Sequence, residues 1–291
     1  MSTTARRRRA ALLCSLLLLG VLGMLPGWPA GPAKAATTDA CGALIAKPGG
    51  GYWGCTFVDN FSGTVLDSSK WVVADSGISG FYMNGSCFDG SGVTQAGGYL
   101  RLSVVRQLQT CVTPLGNLPT THRGSGVSSY GKFSQTYGRF EARMKFPAYR
   151  DAGYHGAFWM NPQNRDYGVW PGSGEIDVAE WFSDTPDNVY PSLHYTGSVG
   201  LLDTKWTCTV NRPDLFHTYA VEWSSVGMDF YYDGALCFSR EWQATDLAKP
   251  APFDRPFTVA LTAASGGATN APTPLTPFPA AFVADYVKVW N

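Results

Sequence analysis

Arg139-Phe-Glu-Ala-Arg-Met-Lys-Phe146 alternates apolar and charged residues without a break. Successive side chains of a β-strand point to opposite faces, so this stretch predicts a half-buried strand. Phe140, Ala142, Met144 and Phe146 would face a core, while Arg139, Glu141, Arg143 and Lys145 would face water. The same period of two recurs on both sides, in Tyr99-Leu-Arg-Leu-Ser-Val104, in Tyr219-Ala-Val-Glu-Trp223 and in Val283-Ala-Asp-Tyr-Val-Lys-Val-Trp290. Between Phe230-Tyr231-Tyr232 and Leu236-Cys237-Phe238 stands Asp233-Gly234, the pair that a type I′ hairpin turn favours because both central residues need positive φ. Glycine and proline make up 52 of the 291 residues and fall between these runs, which suits many turns and argues against long helices. No helical period or fixed-length repeat is present, and Ala263 to Pro279, rich in Gly, Ala, Thr and Pro, reads as a loop. The expectation is an all-β chain, two antiparallel sheets packed face to face as a sandwich.

The first residues are of another kind. Arg6 to Arg9 precede an apolar stretch from Ala10 to Leu25, then Pro26 and the small-residue site Ala33-Lys34-Ala35, the pattern of a secretory signal peptide. Residues 1–35 are therefore expected to be removed, with cleavage after Ala35 or Ala36, leaving 36–291 as a single catalytic domain. Cys14 lies too early in the apolar stretch for a lipoprotein signal, and the export route is open. Cleavage takes away five basic residues and no acidic one, so the net charge moves from 0 to −5. That balance disfavours a nucleic-acid partner. No later stretch approaches the roughly 20 apolar residues of a membrane span. The mature chain is expected to be secreted, extracellular, without a membrane partner, and a monomer. Cys41, Cys55, Cys87, Cys111, Cys208 and Cys237 then remain, an even number that suits disulfides in an exported protein. None has zinc-type spacing, and short-range pairing suggests Cys41 with Cys55, Cys87 with Cys111 and Cys208 with Cys237.

Chemistry concentrates in Trp170-Pro-Gly-Ser-Gly-Glu-Ile-Asp-Val-Ala-Glu-Trp181. On a regular strand Glu175 and Asp177 share a face, but Glu180 points to the other. One additional residue, a β-bulge at Val178-Ala179, would return Glu180 to its companions. Glu175 and Glu180 then span about 13 Å at Cα, and side chains leaning together approach the roughly 5–5.5 Å carboxyl separation of a retaining glycosidase. Three acids on a strand also fit a solvated edge or a cation site. Trp159, Trp170 and Trp181, close by in sequence, suit the apolar face of a sugar better than they suit an ion, although each has a core role as its alternative. The acidic-loop spacing of a calcium-binding helix pair is missing.

With these residues in view, the chain resembles glycoside hydrolase family 16, retaining β-glycanases with a jelly-roll sandwich and a cleft on the concave sheet. The resemblance rests on Gly174-Glu175-Ile176-Asp177-Val178-Ala179-Glu180, and on further blocks in the family's order. These are Phe57-Val-Asp-Asn-Phe61, Leu66-Asp-Ser-Ser-Lys-Trp71, Tyr137-Gly-Arg-Phe-Glu-Ala-Arg143, Ala157-Phe-Trp-Met160, Leu193-His-Tyr195, Phe216-His217 and Asp285-Tyr-Val-Lys-Val289. It implies Glu175 as nucleophile, Asp177 as its electrostatic assistant and Glu180 as general acid/base. The form with the additional residue is similar to laminarinases and agarases, so β-1,3-glucan or mixed-linkage β-glucan is the expected polysaccharide substrate. His155-Gly156 stand where laminarinases usually carry Trp-Pro, which would put His155 in the cleft. His194 resembles a family histidine near the acids, and Arg143 is a candidate for sugar hydroxyls. The route needs no cofactor for catalysis, while an aspartate matching Asp285 implies a structural calcium. Phe81 to Arg123 is longer than the corresponding loop and is expected to reshape or roof the cleft. Alternatives of other kinds stay open: transfer to a sugar acceptor, an agarose or galactan substrate, or a lectin-like protein on the same scaffold.

Overall fold

The computed structural model describes residues 38–291; the expected signal peptide and its cleavage site lie outside the described residues. Twelve main strands organise the chain: β1 (Cys55–Asp59), β2 (Tyr99–Thr113), β3 (Gly116–Ser128), β4 (Gly138–Lys145), β5 (Tyr154–Pro162), β6 (Glu175–Phe182), β7 (Tyr190–His194), β8 (His217–Trp223), β9 (Met228–Tyr232), β10 (Ala235–Arg240), β11 (Phe257–Ser265) and β12 (Ala280–Trp290). They follow the order β7-β6-β5-β11-β3-β2-β12-β4-β8-β9-β10 in one continuous curved sheet. The long β2–β3 hairpin carries that sheet from one layer to the other, and β1 adds to β12. All these pairings are antiparallel, whereas the short strand Ser86–Phe88 runs parallel to β3.

The two layers face each other because each presents an apolar row. Phe140, Ala142, Met144 and Phe146 are buried as their alternation requires. Phe146 stacks on Trp181 of the opposite layer with ring centroids 5.1 Å apart, and Trp223 meets Phe257 edge-on at 5.3 Å. Burial of this many aromatic rings at sheet-to-sheet distance is the main source of stability. The hairpin at Asp233-Gly234 has φ of 49° and 78°, the two positive values of a type I′ turn. Ala263 to Ser265 extend β11 rather than beginning a loop; the irregular segment starts at Gly266.

Three disulfides join Cys41 to Cys55, Cys87 to Cys111 and Cys208 to Cys237. The second joins the short strand Ser86–Phe88 to β2 close to its hairpin end, where Leu108 and Leu115 are exposed. No helix among the described residues is long and apolar enough to cross a membrane.

Candidate active site

The parity problem on β6 is solved by a bulge. On one side Phe158 pairs with Ala179 and Trp159 with Asp177, which leaves Val178 without a partner on β5. On the other side Asp177 pairs with Ser192 and Glu180 with Tyr190, so the register slips at the same place. Ile176, Val178, Ala179 and Trp181 are all buried against the second layer, and Glu175, Asp177 and Glu180 share the opposite face. A support for this kink comes from across the core. The Tyr232 hydroxyl, fully inside the sandwich, donates to the Val178 carbonyl at 2.9 Å and satisfies a group displaced from the regular ladder.

Gly174 introduces the strand with φ of 84°, and a Cβ there would come within 2.8 Å of Phe253. The backbone thus enters β6 through a conformation and a gap that suit glycine alone. Gly156 on β5 answers to packing instead: a Cβ would lie 2.0 Å from Phe282 of the second layer. Its neighbour His155 consequently turns to the acid-bearing face.

Each acid has a distinct partner. His155 Nε2 lies 2.8 Å from Glu180 Oε1, with the ring almost wholly buried. His194, opposite Glu175 in the register, places Nε2 2.9 Å from Asp177 Oδ2. Burial pushes Glu175 up to about 8, assisted by the neighbouring Asp177 and Glu180 charges and opposed by His194 and a hydrogen bond from the Trp170 side chain. Asp177 is likewise raised, first by burial, with the hydrogen bond from His194 acting against it. For His194, burial works downward but the bond to Asp177 and the surrounding carboxylates prevail, pushing it up to about 9. Asp177 and His194 compete for the same proton, and both shifts favour a proton on the contact between them.

Glu175, Asp177 and His194 also bring one potential metal ligand each within 4.8 Å of the others. A histidine whose Nε2 is engaged by Asp177 and which favours its protonated form is a poor ligand, so acid–base chemistry suits this cluster better than a cation. The other such group among the described residues, Asp39 with Cys41 and Cys55, contains two sulfurs bonded to each other.

The remaining candidates separate by strand parity. Trp170 is 63% exposed, its ring 5.9 Å from that of His194, at the margin of the acids. Trp159 pairs with Asp177 in the register, gives its indole N–H to Thr262 Oγ1 and stacks on Phe81, with centroids 6.2 Å apart. Trp181 is corrected: at 1% exposure it lies in the core, because the bulge that returns Glu180 to the open face turns the next residue away from it. Arg143 is corrected too. It stands on the outer face of the second layer, bonded to Asp285 Oδ2 at 2.6 Å and lying over the Phe216 ring. That pair bears on the expected calcium as well, since a guanidinium against Asp285 neutralises the carboxylate and repels a divalent cation. Asp285 as placed does not fit the ion.

Phe81 and Tyr232 were not singled out by sequence. Phe81 belongs to the insertion expected to reshape the cleft, but its stacking on Trp159 joins distant parts of the chain. Tyr232 reads as one more apolar residue of a hairpin strand.

The sequence profile of glycosyl hydrolases family 16 matches residues 90–279. The chain belongs to this family. Among similar proteins, a β-glucanase of Rhodothermus marinus is 36% identical over 174 residues, a stretch covering 55% of this chain and 59% of that protein. A glucan endo-1,3-β-glucosidase of Cryptopygus antarcticus is 28% identical over 273 residues, covering 83% of this chain and 93% of its own. The X-ray structure of the endo-β-1,3-glucanase from Pyrococcus furiosus superposes with a TM-score of 0.72 at 26% identity, over 85% of this chain and 97% of the other.

Proposed function

We propose that this chain is a secreted, endo-acting retaining hydrolase of β-glucan, most favourably β-1,3-glucan or a mixed-linkage β-glucan. The observation that carries the reading is the bulge, which sets Glu175 and Glu180 on one face with Asp177 between them. Glu175 attacks the anomeric carbon while Glu180, held by His155, gives its proton to the departing glycosidic oxygen. A glycosyl-enzyme ester forms and the aglycone leaves as an alcohol. Glu180, now a carboxylate, takes a proton from water, whose oxygen displaces Glu175 from the same anomeric carbon. Two inversions give net retention.

Asp177 resolves a conflict of charge. Glu175 must attack as an anion, yet burial and neighbouring carboxylates favour its neutral form. With Asp177 also raised and bonded to His194, a proton can rest on the Asp177–His194 pair while Glu175 carries the charge. Trp170, and Trp159 with Phe81, supply flat apolar surfaces beside the acids for pyranose rings. The polymer is the only partner that this chemistry requires, and a monomer without a membrane anchor suffices for it.

The test is turnover of β-1,3-glucan, mixed-linkage glucan, agarose and galactan by the native protein and by Glu175→Gln. Release of reducing ends from a β-glucan that is lost in the variant is the expected result. Full activity of Glu175→Gln would refute the assignment. No binding or hydrolysis of any of the four would refute the substrate class.

A further inference from the structure

Beyond β7 the acid-bearing face of the sheet continues. Ser192 forms an antiparallel bridge with Thr204, and the Lys205 N–H donates to the Pro191 carbonyl at 3.0 Å. Residues 204–206 thus run beside β7, and the register of that bridge sets Trp206 across from Tyr190. Tyr190 in turn stands opposite Glu180, and Glu180 opposite Ala157 of β5. Side chains opposite one another on neighbouring strands share a face, so Ala157, Glu180, Tyr190 and Trp206 form one row across the sheet. The ring contacts agree with this row. Trp206 and Tyr190 have centroids 5.3 Å apart, and Tyr190 meets Phe182, two residues past Glu180, at 5.9 Å.

Tyr190 is buried, whereas Trp206 is 52% exposed. The exposed indole is nevertheless fixed in place. Its N–H donates to the Gly200 carbonyl at 2.8 Å, and Gly200 opens the short helix Gly200–Asp203. Asp203 pins that helix from within: its buried carboxylate accepts from the Val199 N–H at 2.6 Å, the Tyr195 hydroxyl at 2.9 Å and Arg240 Nε at 2.6 Å. With its one polar atom satisfied inside the protein, the indole offers a ligand only apolar π surface. The C–H face of a pyranose matches that surface, and a ring already held in place loses little freedom when it binds.

Position ties this surface to the acids. Trp159, with Phe81 stacked on it, is opposite Asp177 on the β5 side, and Trp206 lies on the β7 side. A saccharide touching both surfaces therefore passes over Asp177 and Glu180. Two strand spacings of about 4.8 Å separate Trp206 from Glu180, so it meets a sugar further along the chain than the pair joined by the bond being cleaved.

We propose that Trp206 is an outlying sugar-binding platform on the β7 side of the cleft, which makes the enzyme favour long β-glucan chains over short ones. This inference rests on the proposed substrate class. Its test is the kinetics of the full mature chain on laminarin-type β-1,3-glucan and on β-1,3-gluco-oligosaccharides of graded length. Trp206→Ala should lower kcat/KM for the polymer and the longer oligosaccharides by about three- to tenfold, through KM and with kcat nearly unchanged. The shortest oligosaccharide that is cleaved should be turned over within about twofold of the native rate. Trp206→Phe, which lacks the N–H but keeps a ring, should recover most of the loss. Leu201→Ser, on the same short helix and highly exposed, should behave as the native protein, because a flat sugar uses the indole and not its apolar neighbours. Equal losses at every chain length, a loss in Trp206→Phe as large as in Trp206→Ala, or an equal loss in Leu201→Ser would overturn the platform, as would native kinetics in Trp206→Ala. Calorimetric titration of a long oligosaccharide into Glu175→Gln and into Glu175→Gln carrying Trp206→Ala separates this inference from the catalytic reading. Weaker binding in the second protein, found together with a native protein that does not hydrolyse, would sink the catalytic reading and leave the platform standing. Equal binding in the two would remove the platform and leave the catalytic reading intact.

Discussion

Replacing Glu175 by Gln should make the protein more stable while removing its activity, and the gain should depend on pH. The Glu175 carboxyl is pushed from an ordinary value of 4.5 up to about 8, chiefly by burial. A carboxyl whose folded pKa is raised binds its proton more tightly in the folded state. Its ionisation therefore does no harm below about pH 4.5 and costs progressively more stability as pH rises through about 8. The full displacement corresponds to on the order of 4–5 kcal/mol, and the proton shared by Asp177 and His194 reduces the expected difference to about 2–4 kcal/mol. His194, raised to about 9 from 6.5, contributes in the same direction: its stabilisation is complete below 6.5 and fades as pH rises through about 9. In the variant it loses the attraction of Glu175, so its own pH dependence flattens. Urea unfolding with disulfides intact, at pH 4.5 and at pH 8.5, measures the difference. The variant should match the native protein at pH 4.5 and exceed it by about 2–4 kcal/mol at pH 8.5. Equal stability at both values, or a variant weaker at pH 8.5, would show that Glu175 is not held against its preference and would refute the electrostatic reasoning.

Other outcomes follow from the same geometry. Tyr232→Phe leaves the Val178 carbonyl without its donor and should cost about 1–3 kcal/mol in thermal or urea unfolding, with a fall in kcat as the bulge loosens. Deletion of Val178 yields Glu-Ile-Asp-Ala-Glu, in which plain alternation keeps all three acids on one face; measurable hydrolysis should persist, and complete loss in a folded variant would contradict the parity argument. Trp181→Ala should destabilise by about 3–5 kcal/mol, as expected for a core ring, and leave KM within about twofold, because the side chain does not reach the open face. His155→Ala should lower kcat by roughly tenfold or more with little change in KM, since its imidazole engages Glu180 and lies almost wholly buried.

What could be read from the sequence was whatever is local. The alternation of Arg139 to Phe146 identified a half-buried strand, Asp233-Gly234 identified its turn, and the odd spacing of Glu180 required a bulge that the register contains. Trp181 shows how a correct local rule can go unused: the slip that brings Glu180 outward necessarily sends its neighbour inward, yet proximity in sequence suggested a sugar contact. Arg143 was read correctly as solvent-facing, but the choice between two outer faces depends on which layer a strand joins. No alternation pattern encodes that. The Arg143 guanidinium that Asp285 bonds is likewise brought to it by strand order. Phe81 on Trp159 and Tyr232 beneath Val178 are contacts between segments far apart in the chain, and only closure of the sandwich creates them.

The central claim is double displacement at a single anomeric carbon by two glutamates on one strand. Proton NMR of the first product released from a β-1,3-glucan, recorded before mutarotation, reads the outcome directly. Initial appearance of the β-anomer is the expected result. Initial appearance of the α-anomer would mean one displacement instead of two, and Glu175 could not be the nucleophile.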